Sequence, residues 1–137
     1  MTYKFEQLEV WQLALEYSDR MYALAEQLPH SEDFNLRSQI TRAATSIALN
    51  IAEGSTSQSD AEQARFLGLA IRSLIETVAC QHMIRRRGYL ADPEPLRNAH
   101  RFSEKLFAKL QAFRTTLKGQ VIREEPGLYE YGSDTPF

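Results

Sequence analysis

Four stretches of this sequence repeat their apolar residues at steps of three and four, and each ends at a residue that stops helices. That period belongs to an α-helix with one buried face. Across residues 8–28 the stripe is Val10, Trp11, Ala14, Tyr17, Met21, Leu24 and Ala25, closed by Pro29. Leu36, Ile40, Ala43, Ala44, Ile47 and Ile51 form the second stripe, with Asn35 expected as N-cap and Gly54 as the stop. After a polar turn at residues 55–58, Ser59-Asp60-Ala61-Glu62 reads as a capping box. It opens a long third helix to Arg87, with Leu67, Ala70, Ile71, Leu74, Val78 and Ile84 inside and Gly88 just beyond. Asp92 and Pro93 start the fourth as N-cap and first helical residue. There Leu96, Ala99, Ser103, Leu106, Leu110, Phe113 and Leu117 make a sustained seam, the pattern of helices packed at a shallow angle. No segment alternates as a strand does. Short connections between long amphipathic helices predict an all-α fold, an antiparallel up-down-up-down four-helix bundle over residues 1–118.

From Gly119 the period vanishes, and residues 119–137 read as an irregular, extended or disordered tail. Its Val121, Ile122, Leu128, Tyr129, Tyr131 and Phe137 are more apolar than a solvating tail needs, so a strap docked on this or a neighbouring subunit is the other reading. At 137 residues the chain is the size of one domain with a single core. No apolar run approaches the length of a membrane span. With no secretory leader and a lone Cys80, a cytoplasmic protein is expected.

The net charge of −2 hides an uneven distribution. Residues 85–118 hold nine Lys and Arg against three Asp and Glu, whereas the rest of the chain holds seven against fifteen. In the fourth helix Arg97, Arg101, Lys105 and Lys109 fall in one row opposite the apolar seam, and Arg85, Arg86 and Arg87 end the helix before it. This is either a solvated face or a phosphate-binding surface for structured RNA. Without interleaved aromatic residues, such a surface would read shape and charge rather than sequence. On the second helix Gln39, Arg42, Ser46, Asn50 and Glu53 lie within about 80° of one another, beside the apolar stripe. The expectation is a hydrogen-bonded network fixing the register of helices two and three, with Glu76 as the partner of Arg42; a ligand or partner site is the alternative.

Catalysis finds no foothold in the sequence. His30, His82 and His100 have no metal-ligand spacing, and no nucleophile elbow, phosphate loop or dinucleotide fingerprint occurs. The inward Glu-x-x-His pairs of a di-iron bundle are missing too. We therefore expect a protein that is not an enzyme, with no cofactor, no metal and no small-molecule substrate. Apolar flanks at Leu49, Leu69, Phe102 and Phe107 exceed what one core covers, which predicts a homo-oligomer.

Three stretches carry a resemblance: FEQLEVWQLA (residues 5–14), SQITRAATSIALNIAEGS (38–55) and RFLGLAIRSLIE (65–76). Over residues 3–118 the chain resembles the four-helix-bundle proteins encoded in intervening sequences of bacterial 23S rRNA genes. It differs from their usual pattern at Arg37, where Thr or Ser is common. The resemblance implies an antiparallel bundle assembled as a homopentamer. It extends to the accessory variability determinants of diversity-generating retroelements, which implies a reverse transcriptase as an alternative partner.

Overall fold

The structure, a computed structural model, describes residues 2–119 and 135–137. After a 3₁₀ turn at Lys4–Gln7, four helices follow in order: α1 (Glu9–Glu26), α2 (Leu36–Gly54), α3 (Asp60–Arg87) and α4 (Glu94–Leu117). Each helix packs on the next in sequence, and α4 returns to α1, which closes the ring of four. Pairings between side chains give the directions. Glu9 meets Lys109 while Tyr17 meets Phe102, so α1 and α4 run antiparallel. Ser46 meets Ser73, and Gly54 lies against Phe66, so α2 and α3 do likewise. The bundle is up-down-up-down.

The expected stripes form the core. Tyr17, Met21, Leu24, Ile40, Ile47, Ile51, Leu67, Leu74, Ile84, Leu96, Leu106 and Leu110 are all fully buried. Of the fourth-helix seam, Phe113 and Leu117 are only partly buried against this core, where the helix runs out toward its end. Phe102 and Phe107 also pack on it from within the chain, so those two flanks need no second subunit for cover. The Phe102 ring stacks 6.0 Å from Tyr17 and carries the Arg20 guanidinium 4.9 Å above it.

Some helix ends follow the sequence and others depart from it. Gly88 takes the left-handed conformation (φ 68°) beyond α3, and Ser59 Oγ accepts the Glu62 N–H at 3.2 Å. The Glu62 carboxylate turns to Arg65 at 2.8 Å, so only half of the capping box forms. At α2, Asn35 makes no side-chain cap. Its amide donates back to Glu32 at 2.9 Å, and Glu32 itself accepts the Leu36 N–H at 3.3 Å. A carboxylate serves this end because an anion is favoured at a helix N-terminus. Gly54 is buried inside the last turn of α2 rather than beyond it. A Cβ there would sit 2.9 Å from Phe66 Cβ, so the glycine permits α2 and α3 to approach closely.

The α1–α2 connector carries the departure at Arg37. Its Nε donates to Asp33 at 2.8 Å, and a second guanidinium nitrogen donates to the Leu28 carbonyl, pinning the loop to α2. Tyr89, in the α3–α4 connector, donates its hydroxyl to Glu32 at 2.5 Å. The two connectors at this end of the bundle are thus joined. That hydrogen bond, aided by those from Leu36 and Asn35, holds the Glu32 carboxyl below its ordinary pKa despite its burial, and the same bond raises the Tyr89 phenol.

Candidate nucleic-acid interface

The row on α4 lies on the solvent side of the helix, because the seam from Leu96 to Leu110 occupies the opposite one. Arg101, Lys105 and Lys109 are exposed and Arg97 is half-buried. Asp92 Oδ1 accepts the Glu94 N–H at 3.0 Å and fixes the start of the helix one residue later than the sequence predicts. Arg85, Arg86 and Arg87 are exposed at the end of α3, at the same end of the bundle where Arg97 begins the row.

The cations are not bare. Glu94 approaches Arg97 at 3.3 Å and Arg101 at 3.7 Å, and Glu9 of α1 approaches Lys109 at 3.3 Å. Lys105 Nζ stands 5.9 Å from the Phe102 ring. All three ion pairs are solvent-exposed, where each contributes about 0–1 kcal/mol. A phosphate can therefore replace the carboxylates at little cost.

Arg97 has a further partner: its Nε donates to the Phe137 carbonyl at 3.2 Å. The Phe137 ring sits edge-on to His82 of α3 (4.9 Å between centroids) and His100 of α4 (5.4 Å). His100 is held below its ordinary pKa, by burial first, although Glu104 Oε1 lies 3.0 Å from its Nδ1 and pulls the other way. That nitrogen lacks hydrogen-bond geometry to any acceptor. Of the tail expected at 119–137, residues 120–134 fall outside the described residues; Phe137 packs on the core.

The second-helix stripe is placed differently from expectation. Gln39, Arg42 and Glu53 are exposed, as is Glu76 on α3. Arg42 donates to Ser38 of its own helix at 3.1 Å, and Asn50 donates to Ser46 Oγ at 3.0 Å. Ser46 alone bridges to α3, accepting from Ser73 at 2.9 Å. The stripe sits too far around from the buried face: Ile40, Ala44, Ile47 and Ile51 point inward, and Gly54 and Ser46 already close the α2–α3 seam. Arg42, Ser46, Asn50 and Glu53 instead line an open groove of about 480 Å³, bordered by Tyr22 and Leu49.

The buried polar network lies elsewhere. Tyr17 reaches across the diagonal of the bundle to Thr77 Oγ1 (2.7 Å), and Gln81 Nε2 donates to the Tyr17 oxygen (2.8 Å). Thr77 spends its own proton on the Leu74 carbonyl (2.6 Å), so Tyr17 is the donor in the first bond. Burial pushes the Tyr17 phenol far above its ordinary value, more than the Thr77 and Gln81 bonds lower it. Sequence reasoning missed this trio, although a Thr and a Gln four residues apart within the α3 stripe were the available signal. Cys80, one turn beyond Thr77, is buried; desolvation, with Glu76 nearby, pushes its thiol up to about 11, the setting of an inert cysteine.

Among the described residues no group of three or more His, Cys, Asp or Glu is placed to hold a metal, and no helix is long and apolar enough to cross a membrane. No curated protein matches the chain. A solved structure from Bacteroides thetaiotaomicron, a protein of unknown function from the S23 ribosomal protein family, superposes with a TM-score of 0.70. It is 26% identical and covers 77% of this chain and 97% of its own. Residues 6–112, from before α1 into α4, match the family described as 23S rRNA-intervening sequence protein, and the chain belongs to that family.

Proposed function

We propose that this protein is a non-catalytic, self-assembling helical scaffold that associates with structured RNA through the outer face of α4. The observation that supports it best is the exposed row Arg101, Lys105 and Lys109, continued by Arg97 and, at the same end of the bundle, by Arg85, Arg86 and Arg87. The row spans about 18 Å at 1.5 Å per residue, a length that meets several successive phosphates. The test is fluorescence anisotropy of a structured RNA between about 50 and 200 mM salt. Binding should weaken steeply with salt, and reversing Arg101 and Lys105 to Glu should flatten the salt slope by at least about one unit. Absence of binding at the low-salt end refutes the reading.

Self-association rests on a separate observation. Leu15 and Tyr22 of α1, Leu49 of α2, and Ile75 and Met83 of α3 stand between 40% and 54% exposed, more large apolar side chain than the core has drawn in. Burial between copies covers such surface. A homopentamer is the assembly that the family resemblance implies. Sedimentation at high salt checks this: an apolar assembly persists where ion-paired contacts loosen, and Leu49→Lys should shift it toward monomer. A wild-type chain that sediments as a monomer under all conditions refutes it.

A further inference from the structure

We propose that Phe137 is a latch over a base-binding notch, and that closure of the latch and capture of an unpaired RNA base exclude one another. The notch is built from two helices. His82 comes from α3, Arg97 and His100 from α4, and the two imidazoles stand 6.5 Å apart at 84°. The Phe137 ring lies across both, 4.9 Å from His82 and 5.4 Å from His100 between centroids, inclined 61° to one and 89° to the other. Arg97 Nε binds the carbonyl oxygen of the same residue, while Thr135 Oγ1 accepts its N–H at 3.3 Å.

Proteins hold an extruded nucleobase against aromatic rings, with a guanidinium on its phosphate. Phe137 thus occupies both halves of such a site, its ring in place of the base and its carbonyl in place of a phosphate oxygen. The position matters, because Arg97 is the first cation of the α4 row. With the latch closed, its Nε serves Phe137 and another guanidinium nitrogen serves Glu94, which withdraws it from the set that can meet phosphate. With the latch open, the row gains a cation and acquires the aromatic grip that the rest of the face lacks. The inference rests on the RNA-binding reading above and specifies where an unpaired base would go.

The test compares the full chain with Phe137→Ala, and with Phe137→Trp as the ring-preserving control. The probes are an RNA hairpin with an unpaired loop and the same stem as a blunt duplex. Phe137→Ala should bind the hairpin about tenfold more tightly, in line with one added base stack, and should steepen the salt slope by about one unit as Arg97 is freed. The duplex should gain much less, and Phe137→Trp should behave as wild type. Imidazole proton resonances of His82 and His100 supply a readout independent of RNA, because removing the Phe137 ring must shift both. Equal hairpin affinity of wild type and Phe137→Ala overturns the latch while leaving RNA binding intact. Unchanged imidazole resonances overturn it as well. If neither protein binds either RNA at low salt, the latch and the RNA reading both fall, and shifted imidazoles then assign Phe137 to packing alone.

Discussion

Replacing Tyr17 with Phe removes one oxygen from the centre of the bundle and leaves the ring in place. Two hydrogen bonds go with it, the one donated to Thr77 and the one accepted from Gln81. Thr77 keeps its bond to the Leu74 carbonyl and is little harmed. Gln81 is the casualty. Its Oε1 already has no partner, and its Nε2 would retain only the Met21 sulfur at 3.6 Å. Two net bonds at about 1 kcal/mol each, with a nearly orphaned buried amide, put the loss at about 2 kcal/mol. Urea unfolding followed by far-UV circular dichroism, at one fixed protomer concentration because assembly shifts apparent stability, should show the midpoint falling by roughly 1 M. Gln81→Met makes the counterpart. It removes the orphan oxygen and the donor together, so it should cost less than Tyr17→Phe. In that background Tyr17→Phe should become cheaper, with a coupling energy of about 1 kcal/mol. A loss below about 0.5 kcal/mol for Tyr17→Phe, or strict additivity of the pair, refutes the network as a determinant of stability.

Two other perturbations address the way the helices are joined. Gly54→Ala forces a methyl to within 2.9 Å of Phe66 Cβ, an atom fixed to its backbone, and should destabilise by about 1–3 kcal/mol in the same unfolding assay even though alanine favours helix; an unchanged midpoint would show that α2 and α3 can part freely there. Glu32 has a folded-state pKa depressed below its ordinary 4.5, so its contribution is full above that value and is lost as pH falls through the folded one. Tyr89→Phe should therefore lessen the loss of stability on acidification between about pH 6 and 3, and curves for the two proteins that stay parallel across that range would refute the role of the connector bond.

The helices were legible because burial imposes its period on the chain. The stripes through Ile40 to Ile51 and Leu96 to Leu110 are the core, and Gly88 closes α3 as its position implied. What escaped depends on angle and on distance in sequence. Arg42 and Glu53 look as near to the apolar stripe as Ser46 does, but the close α2–α3 seam leaves room only for small groups, and the long charged ones swing outward. The residue type of Asn35 suggests a cap, while Glu32, three residues earlier and inside a connector, reaches the vacant N–H. The notch could not be read at all: His82 and His100 lie on different helices, and Phe137 comes from beyond the last helical period.

The Glu32–Tyr89 bond makes the bundle mechanically lopsided. At that end both connectors are cinched together, with Arg37 holding one of them down. At the other end the first turn of α1 meets the last turns of α4 through packing and the exposed Lys109–Glu9 pair. Hydrogen exchange should register the difference as slow amides near the connectors and early opening where α1 begins and α4 ends. Arg85, Arg97, His82 and His100 all sit on the cinched half. A ligand arriving there has only Phe137 to displace, because the helices beneath it are already held in place, and larger rearrangements are left to the opposite pole.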